Sequence, residues 1–240
     1  MAWYAKAYGA YSNTSNEAVS NAREMCKLLY KAGYSKASVA AILGNVSFEG
    51  GFNPWRWGDL VYIDFVPSYQ EFQNWTYAQS MEHGYGLFQY TPANKYINNN
   101  SSQLYPTCFY PNFSDLHGRA EDGEGQTRYF IANASGDWSN GNYGYYYDDF
   151  SNIGVNITPW YYTTFDNFKR GINNSGFLLD LAALTGVFEL CYERPGDTYA
   201  ANSYQNRVNA ANYWYGVIPN PSAQSSDSMS WIYYLKHRRF

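Results

Sequence analysis

This sequence of 240 residues has few charged residues, no excess of basic over acidic residues, and no long apolar run. Charged residues make up 15% of the chain, and 16 Lys and Arg against 20 Asp and Glu give a formal net charge of −4. Because phosphate binding needs a basic surface, this balance excludes nucleic acid as the main partner. No run of about 18 apolar residues occurs, so neither a membrane-spanning helix nor a membrane partner is expected.

Cysteine and histidine are also few, which limits the chemistry that the chain can perform. An odd, sparse set of three cysteines does not make a disulfide framework. The three histidines are isolated and match neither the H-E-x-x-H zinc pattern nor a Cys–His nucleophile motif. We therefore expect no metal and no cofactor. Residues 1–12 lack the apolar core of a signal peptide, which predicts synthesis in a cytoplasm without export by that route.

Aromatic residues are abundant instead, with 27 Tyr, 8 Trp and 14 Phe. A tyrosine presents a flat apolar face and a polar tip, and such surfaces suit sugars, peptides or protein partners. A core and surface rich in tyrosine, with no ligand, explains the same composition. The composition alone leaves both readings open.

Apolar periodicity predicts an α+β protein that is mostly α. Helices are expected over 16–33, 36–49, 165–172, 178–192 and 199–215, with a further helix starting near 123. Between 52 and 90 this periodicity fades, and we predict a β-hairpin region with a short strand over Leu60–Val66. Residues 133–158 are rich in Asn, Gly and Tyr and are interpreted as an extended surface loop. The expected organisation is one domain over 1–218, followed by a linker and basic tail over 219–240.

Glu49 is the most informative single residue. It lies three, seven and ten residues after Val46, Ile42 and Val39, so it shares their apolar helix face and is expected to face the interior or a cleft. It also lies in the last helical turn, where the helix dipole disfavours an anion. Both effects favour the protonated carboxyl, which is the form that a general acid needs. An ordinary solvent-exposed glutamate at a frayed helix end is the alternative.

Two segments resemble motifs of the phage tail lysozyme family. Residues 41–54 read AILGNVSFEGGFNP, close to the family pattern I-L-G-N-x-x-x-E-S-G-F-N-P, with Gly50 in place of Ser. Residues 84–92 read GYGLFQYTP, close to G-Y-G-L-x-Q-W-T, with Tyr90 in place of Trp. The G-L-x-Q element is also similar to one in goose-type lysozymes and lytic transglycosylases. A weaker third match is FELCYERPG at 188–196.

The resemblance implies a lysozyme-like fold, with a helical body and a small β-hairpin region as one wall of a sugar cleft. It implies cleavage of peptidoglycan glycan strands, at the β-1,4 bond between N-acetylmuramic acid and N-acetylglucosamine, with Glu49 as the acid. It also favours a virion location on the phage tail, where other tail proteins are possible partners. A catalytically silent cell-wall-binding tail protein is the non-enzymatic alternative.

Glycoside hydrolysis usually needs a second carboxylate, and neither motif identifies it. We choose Asp59, because a hairpin turn ten residues after Glu49 is able to return across a cleft. Asp64 and Glu82 are the weaker alternatives. If no second carboxylate faces Glu49, a lytic transglycosylase is favoured, in which the 6-hydroxyl of the sugar closes onto C1.

The expected sugar-binding surface combines an amide with aromatic rings. Gln89 both donates and accepts hydrogen bonds, which suits N-acetyl and hydroxyl groups. The remaining candidates are residues that stack on pyranose rings, position a water or contact the catalytic acid: Tyr85, Tyr90, Thr91, Trp57 and Tyr192. Core packing explains each aromatic residue of this set as well.

Overall fold

A computed structural model describes residues 3, 15–49, 51–54, 56, 84–90, 121–139, 143–161, 163–195 and 197–221 of the chain. Within these ranges the fold is mostly helical. Seven α-helices are found there: α1 (Asn16–Lys31), α2 (Lys36–Glu49), α3 (Glu121–Asp137), α4 (Tyr143–Asn152), α5 (Phe165–Arg170), α6 (Leu181–Phe188) and α7 (Asp197–Val217). None of these helices combines the length and apolar character that a membrane crossing requires.

The expected β-hairpin is not supported by this structure. No described residue belongs to a multi-residue strand, although Ile172 and Leu178 form an isolated antiparallel bridge. The described parts of 52–90 form turns, with positive φ values at Phe52 and Gln89 that interrupt an extended backbone. Residues 57–83, which include the predicted strand Leu60–Val66, lie outside the described residues.

Local capping signals define α1 and α2 as the sequence predicted. The Ser15 hydroxyl accepts a hydrogen bond from the backbone N–H of Ala18 (3.1 Å), and Ser35 does the same for Ser38 (3.1 Å). Gly33 adopts a φ of 88° between the two helices, a conformation that glycine reaches without strain. The predicted antiparallel pair with its short turn is therefore consistent with the observed helix ends.

Helix α2 lies at the centre of the core. All ten of its residues from Ser38 to Ser47 are buried, and it packs most extensively against α7 and then α6. Gly44 makes the close contact with α7, because a Cβ atom there would lie 2.7 Å from the carbonyl oxygen of Arg207. This close packing of helices brings the end of α2 and the middle of α7 together.

The predicted surface loop over 133–158 is wrong. Helix α3 continues to Asp137, and α4 occupies Tyr143–Asn152. Tyr143, Tyr146 and Phe150 are buried at spacings of three and four residues, while the intervening tyrosines face solvent. Burial of one aromatic face thus outweighs the low helix propensity of a segment rich in Tyr, Asn and Gly.

The C-terminal helices agree with the sequence prediction in position. Helix α5 ends at Gly171, whose φ is 77°. Helix α6 begins after the Asp180 cap and continues into a π-helical turn over Glu189–Glu193. This turn stops at Arg194, where φ is 51° and the backbone N–H bonds to the carbonyl oxygen of Glu189 (2.7 Å).

Candidate functional site

Arg207 connects the first motif to α7. Its side chain is completely buried, and its Nη1 donates a hydrogen bond to Asn45 Oδ1 (2.9 Å) while Nη2 donates to Glu49 Oε1. Asn45 and Glu49 lie one helical turn apart on α2, so they face the guanidinium together. The packing of α2 against α7 explains the spacing of the G-N-x-x-x-E pattern. Gly44 lets the two helices approach closely, and Asn45 and Glu49 bind Arg207.

Glu189 approaches the same guanidinium from the π-helical turn. Its Oε1 lies 3.0 Å from Arg207 Nε and accepts a hydrogen bond from the Ser203 hydroxyl (2.6 Å). Ser203 precedes Arg207 by one turn of α7, and all three of these side chains are buried. The result is a buried polar cluster that α2, the π-helical turn and α7 build together.

Glu193 is the third carboxyl of this cluster and is bound differently. Its Oε1 is inaccessible to solvent and has no hydrogen-bond partner among the described residues. Burial raises the pKa of Glu193 well above its ordinary value, and the nearby Glu49 charge raises that pKa further, although Arg207 lowers it. Burial therefore favours the protonated form of the Glu193 carboxyl.

The pKa of Glu189 is raised as well, to about 7, because burial outweighs the opposing effects of Arg207 and Ser203. One guanidinium cannot neutralise three carboxylates in a buried space, so protons supply the remaining balance. Within the cluster, 22% of the Glu49 side chain is exposed and Glu193 is also only partly buried, whereas Glu189 is fully buried. The structure therefore places a polar, proton-holding cluster behind a partly exposed carboxyl at the end of α2.

The second motif forms a closed turn beside this cluster. Tyr85 and Tyr90 exchange backbone hydrogen bonds (3.2 and 2.9 Å) across the turn Gly86–Gln89. The Gly86 N–H donates to the carbonyl of Arg56 (2.8 Å), and the Gln89 amide donates to the carbonyl of Gly86 (2.7 Å). The turn is therefore tied to the chain just beyond the first motif.

Gln126 of α3 fixes this turn from the other side. Its Oε1 accepts a hydrogen bond from the Leu87 N–H (2.7 Å), and its Nε2 donates to the Pro54 carbonyl (2.6 Å). Gly86, at a φ of 80°, leaves the space that the Gln126 side chain occupies, because a Cβ atom there would lie 2.1 Å from Gln126 Oε1. One buried side chain thus joins the two motifs.

The structure describes four of the six predicted sugar-binding residues. Gln89, Tyr90 and Tyr192 line one cavity, whereas Tyr85 is fully buried beside it. Asp59, Trp57 and Thr91 lie outside the described residues, as do the alternatives Asp64 and Glu82. The cavity is lined by Phe88, Gln89, Tyr90, Asp137, Tyr192, Glu193 and Arg194.

The aromatic residues at this cavity also pack into the core. The ring of Tyr192 stacks on Phe188 and meets Phe130 edge to face, with ring centroids 5.1 and 5.0 Å apart. The Tyr90 hydroxyl donates to the carbonyl of Gln126 (3.1 Å). These contacts hold the cavity wall rigid, and the sugar-binding roles of Tyr85, Tyr90 and Tyr192 stay predictions.

The sequence analysis missed the residues that surround Glu49, although signals for two of them were present. Arg207 lies on the α7 face that carries Tyr204, Val208 and Ala211, and an arginine on an apolar stripe indicates a buried ion pair. Glu189 likewise continues the buried face of α6. No group of three or more potential metal-ligating side chains occurs in the described part of the chain.

Comparison with known proteins gives one clear match. The family model described as phage tail lysozyme matches residues 20–218. That range includes all three motifs, the Arg207 cluster and the cavity. No curated protein matches the chain.

Proposed function

This chain belongs to the phage tail lysozyme family, which supports a phage cell-wall hydrolase with peptidoglycan as its substrate, and we propose that it is a muramidase. The reaction is hydrolysis of the β-1,4 bond between N-acetylmuramic acid and N-acetylglucosamine in the glycan strand. The enzyme acts from the virion tail, where other tail proteins are its neighbours. Glu49 is the general acid that protonates the bridging oxygen.

The observation that carries this proposal is the surroundings of Glu49. Its carboxyl lies at the end of a buried helix, is partly exposed, and is fixed by Arg207 against a cluster that stores protons. A module that only binds cell wall needs no such cluster, because buried ionisable groups are expensive to fold. Strongly shifted carboxyl pKa values next to a cavity are typical of acid–base sites.

Arg207 also stabilises the Glu49 carboxylate that forms during the reaction. Once Glu49 has released its proton to the leaving oxygen, the guanidinium stabilises the carboxylate that remains. Water then completes the hydrolysis at C1, with a second carboxylate as base or nucleophile. The sequence offers Asp59 for that second role, with Asp64 and Glu82 as alternatives.

The proposed substrate surface follows the second motif and its cavity, which Glu193 lines and Glu49 does not. Gln89 binds N-acetyl or hydroxyl groups of the sugar, and Tyr90 and Tyr192 contribute to the wall of the same cavity. Trp57 and Thr91 extend this surface on the basis of the motif resemblance. Tyr85 supports the turn from within the core.

The test is the clearing of purified cell walls by wild type and by Glu49→Gln, with Glu124→Gln as the matched control. Glu124 pairs with Arg128 on the exposed side of α3, so its loss leaves the site intact. We expect Glu49→Gln to lose at least about 100-fold in rate, since proton transfer contributes about 10²–10⁴-fold. Equal clearing by wild type and Glu49→Gln removes Glu49 from the mechanism.

Product analysis separates the remaining alternatives. Mass spectrometry of the released fragments shows reducing ends for a hydrolase and 1,6-anhydro ends for a lytic transglycosylase. No release by wild type, together with tight binding to insoluble walls, identifies a catalytically silent tail protein.

A further inference from the structure

The geometry around Glu193 suggests a catalytic role that rests on the proposed function. Glu193 lines the cavity that Gln89 and Tyr90 also line, so its carboxyl lies where the second motif meets the third. It ends the π-helical turn, immediately before the positive φ of Arg194. Irregular helical turns of this kind occur frequently at functional sites because they re-aim side chains.

Its bonding differs from that of the other two glutamates. Glu49 receives a hydrogen bond from Arg207, and Glu189 receives one from Ser203 and an ion pair with Arg207. Glu193 Oε1 has no partner among the described residues, although it is sealed from solvent. Glu189 Oε2 is likewise buried without a partner there, but Glu189 does not line the cavity, whereas Glu193 does.

The charges also connect Glu193 to Glu49. The carboxylate of Glu49 raises the pKa of Glu193, and Arg207, which bonds to Glu49, lowers it. Arg207 therefore links the two glutamates, because it donates a hydrogen bond to Glu49 and its charge also acts on Glu193.

We propose that Glu193 is the second catalytic carboxyl, the base that takes a proton from the attacking water. This role replaces the one that the sequence offered to Asp59. The assignment stands on the cavity, on the sealed carboxyl oxygen without a partner, and on the shared cluster with Glu49. It also gives the third sequence match, FELCYERPG, a function through its second glutamate.

The proton balance closes over one turnover. In the reactive form Glu49 carries a proton and is the acid, and Glu193 is the carboxylate. Glu49 then gives this proton to the bridging oxygen as the bond from C1 to that oxygen breaks, and the leaving sugar keeps the electron pair. The water oxygen bonds to C1 while one water proton passes to Glu193. The site ends with Glu49 ionised beside Arg207 and Glu193 protonated, and the reactive form returns when Glu193 releases its proton to solvent and Glu49 takes one up.

Glu193→Gln is the principal test, because glutamine closely matches the protonated carboxyl in shape and preserves the resting structure. We expect kcat on cell walls to fall by about 100-fold or more, while KM and pelleting with insoluble walls change by less than about threefold. Urea unfolding and far-UV circular dichroism monitor the fold. Glu124→Gln is the control for the same chemical change on the surface, and Asp59→Asn tests the rival base.

Chemical rescue distinguishes a base from a structural residue. In Glu193→Ala the side chain is shortened at the cavity, and added sodium formate supplies a small carboxylate there. We expect formate to restore at least about tenfold of the lost rate in Glu193→Ala and to leave Glu49→Gln unchanged.

The outcomes separate this inference from the proposed function. If wild type cleaves glycan strands and Glu49→Gln does not, while Glu193→Gln keeps its rate within threefold, Glu193 is not the base. Loss of activity in Asp59→Asn alone assigns the role to Asp59. Loss in Glu193→Gln without formate rescue in Glu193→Ala also overturns the proposal. An inactive wild type overturns both proposals together.

Discussion

The guanidinium of Arg207 binds the carboxylate of Glu49 across 158 positions of sequence. The same guanidinium reaches Asn45 on the preceding turn of α2, and its carbon lies 4.5 Å from the centre of the Phe48 ring. Three residues of the first motif therefore converge on one side chain of α7. The position of the candidate acid depends on the packing of two distant helices and not on α2 alone.

Replacing Arg207 with Gln is expected to destabilise the protein strongly. The change removes the cation that balances Glu49 and Glu189, and the acceptor oxygens are left buried without their donor. Loss of one partner from a buried pair typically lowers the free energy of unfolding by about 3–5 kcal/mol. Urea unfolding followed by tryptophan fluorescence measures this change.

Arg128→Gln serves as the control for Arg207→Gln. Arg128 pairs with Glu124 on the exposed surface of α3, so the expected change in unfolding free energy is below about 1 kcal/mol. A similar small change in both variants would contradict the structural role given to Arg207.

Gly44→Ala is expected to separate α2 from α7. The added Cβ would lie 2.8 Å from the Cβ of Ala211 and 2.7 Å from the backbone oxygen of Arg207, and neither helix backbone yields easily. Overpacking of this kind lowers the unfolding free energy by about 1–3 kcal/mol. Gly136→Ala on α3 is the matched control, because no atom lies within 4 Å of its added Cβ.

The two alanine variants are predicted to move in opposite directions. In Gly136→Ala the better helix propensity of alanine is expected to raise stability by up to about 1 kcal/mol. Thermal unfolding of both variants under the same buffer conditions provides the comparison. A stabilised Gly44→Ala would show that the close helix contact is absent in solution.

The stability of the protein is expected to fall as pH rises through neutrality. The pKa of Glu189 is about 7 in the folded state against an ordinary value of 4.5. The folded chain therefore retains a proton that the unfolded chain releases, so this contribution is complete below pH 4.5 and is lost as pH rises through about 7.

Glu189→Gln isolates that contribution, because glutamine does not ionise. We expect the unfolding free energy of this variant, relative to wild type, to increase between pH 5 and pH 8 by an amount on the order of 3 kcal/mol. Parallel curves of stability against pH for the two proteins would show that Glu189 titrates alike in both states.

Two of the cysteines are expected to resist thiol reagents in the folded protein. Cys26 and Cys191 are buried and free, and burial raises the pKa of the Cys191 thiol to about 12 even though Tyr143 bonds to its sulfur. The pKa of Cys26 is also raised by burial. Because the thiolate is the reactive form, neither group should react quickly with a disulfide reagent at pH 8.

A Cys108→Ser variant makes this measurement unambiguous. We expect no rapid thiol release from the native variant and the release of both remaining thiols after denaturation. Rapid reaction of either thiol in the native state would indicate that the core opens around α1 or the π-helical turn.

Sequence patterns predicted those elements whose signals are local. Ser15, Gly33 and Ser35 define the ends of α1 and α2 through their own neighbours in sequence, so caps and periodicity were sufficient. Helix α4 was missed because its stability comes from burial of Tyr143, Tyr146 and Phe150 in a distant core. The β-hairpin expectation came from a local loss of helical periodicity, which turns explain equally well.

The candidate site was predictable only in part, for the same reason. Glu49 was identified from its place on an apolar stripe, but its contact with Arg207 joins residues that no local pattern connects. Gln126 was not identified, because an isolated glutamine within a helix carries no signal until its partners at Pro54 and Leu87 are known. Long-range pairing of polar groups is the information that the sequence patterns lacked.

The hydrogen bond between the Gly86 N–H and the Arg56 carbonyl has a consequence for how this enzyme family can diversify. It holds the residues that flank the stretch 57–83 close together. The ends of that stretch are therefore fixed by its described neighbours, whatever its length. Doubling the length of such an excursion adds only about 0.6 kcal/mol of closure entropy. Substitutions, insertions and exchanges there can therefore change the length and chemistry of that stretch while the contact between Arg207 and Glu49 stays in place.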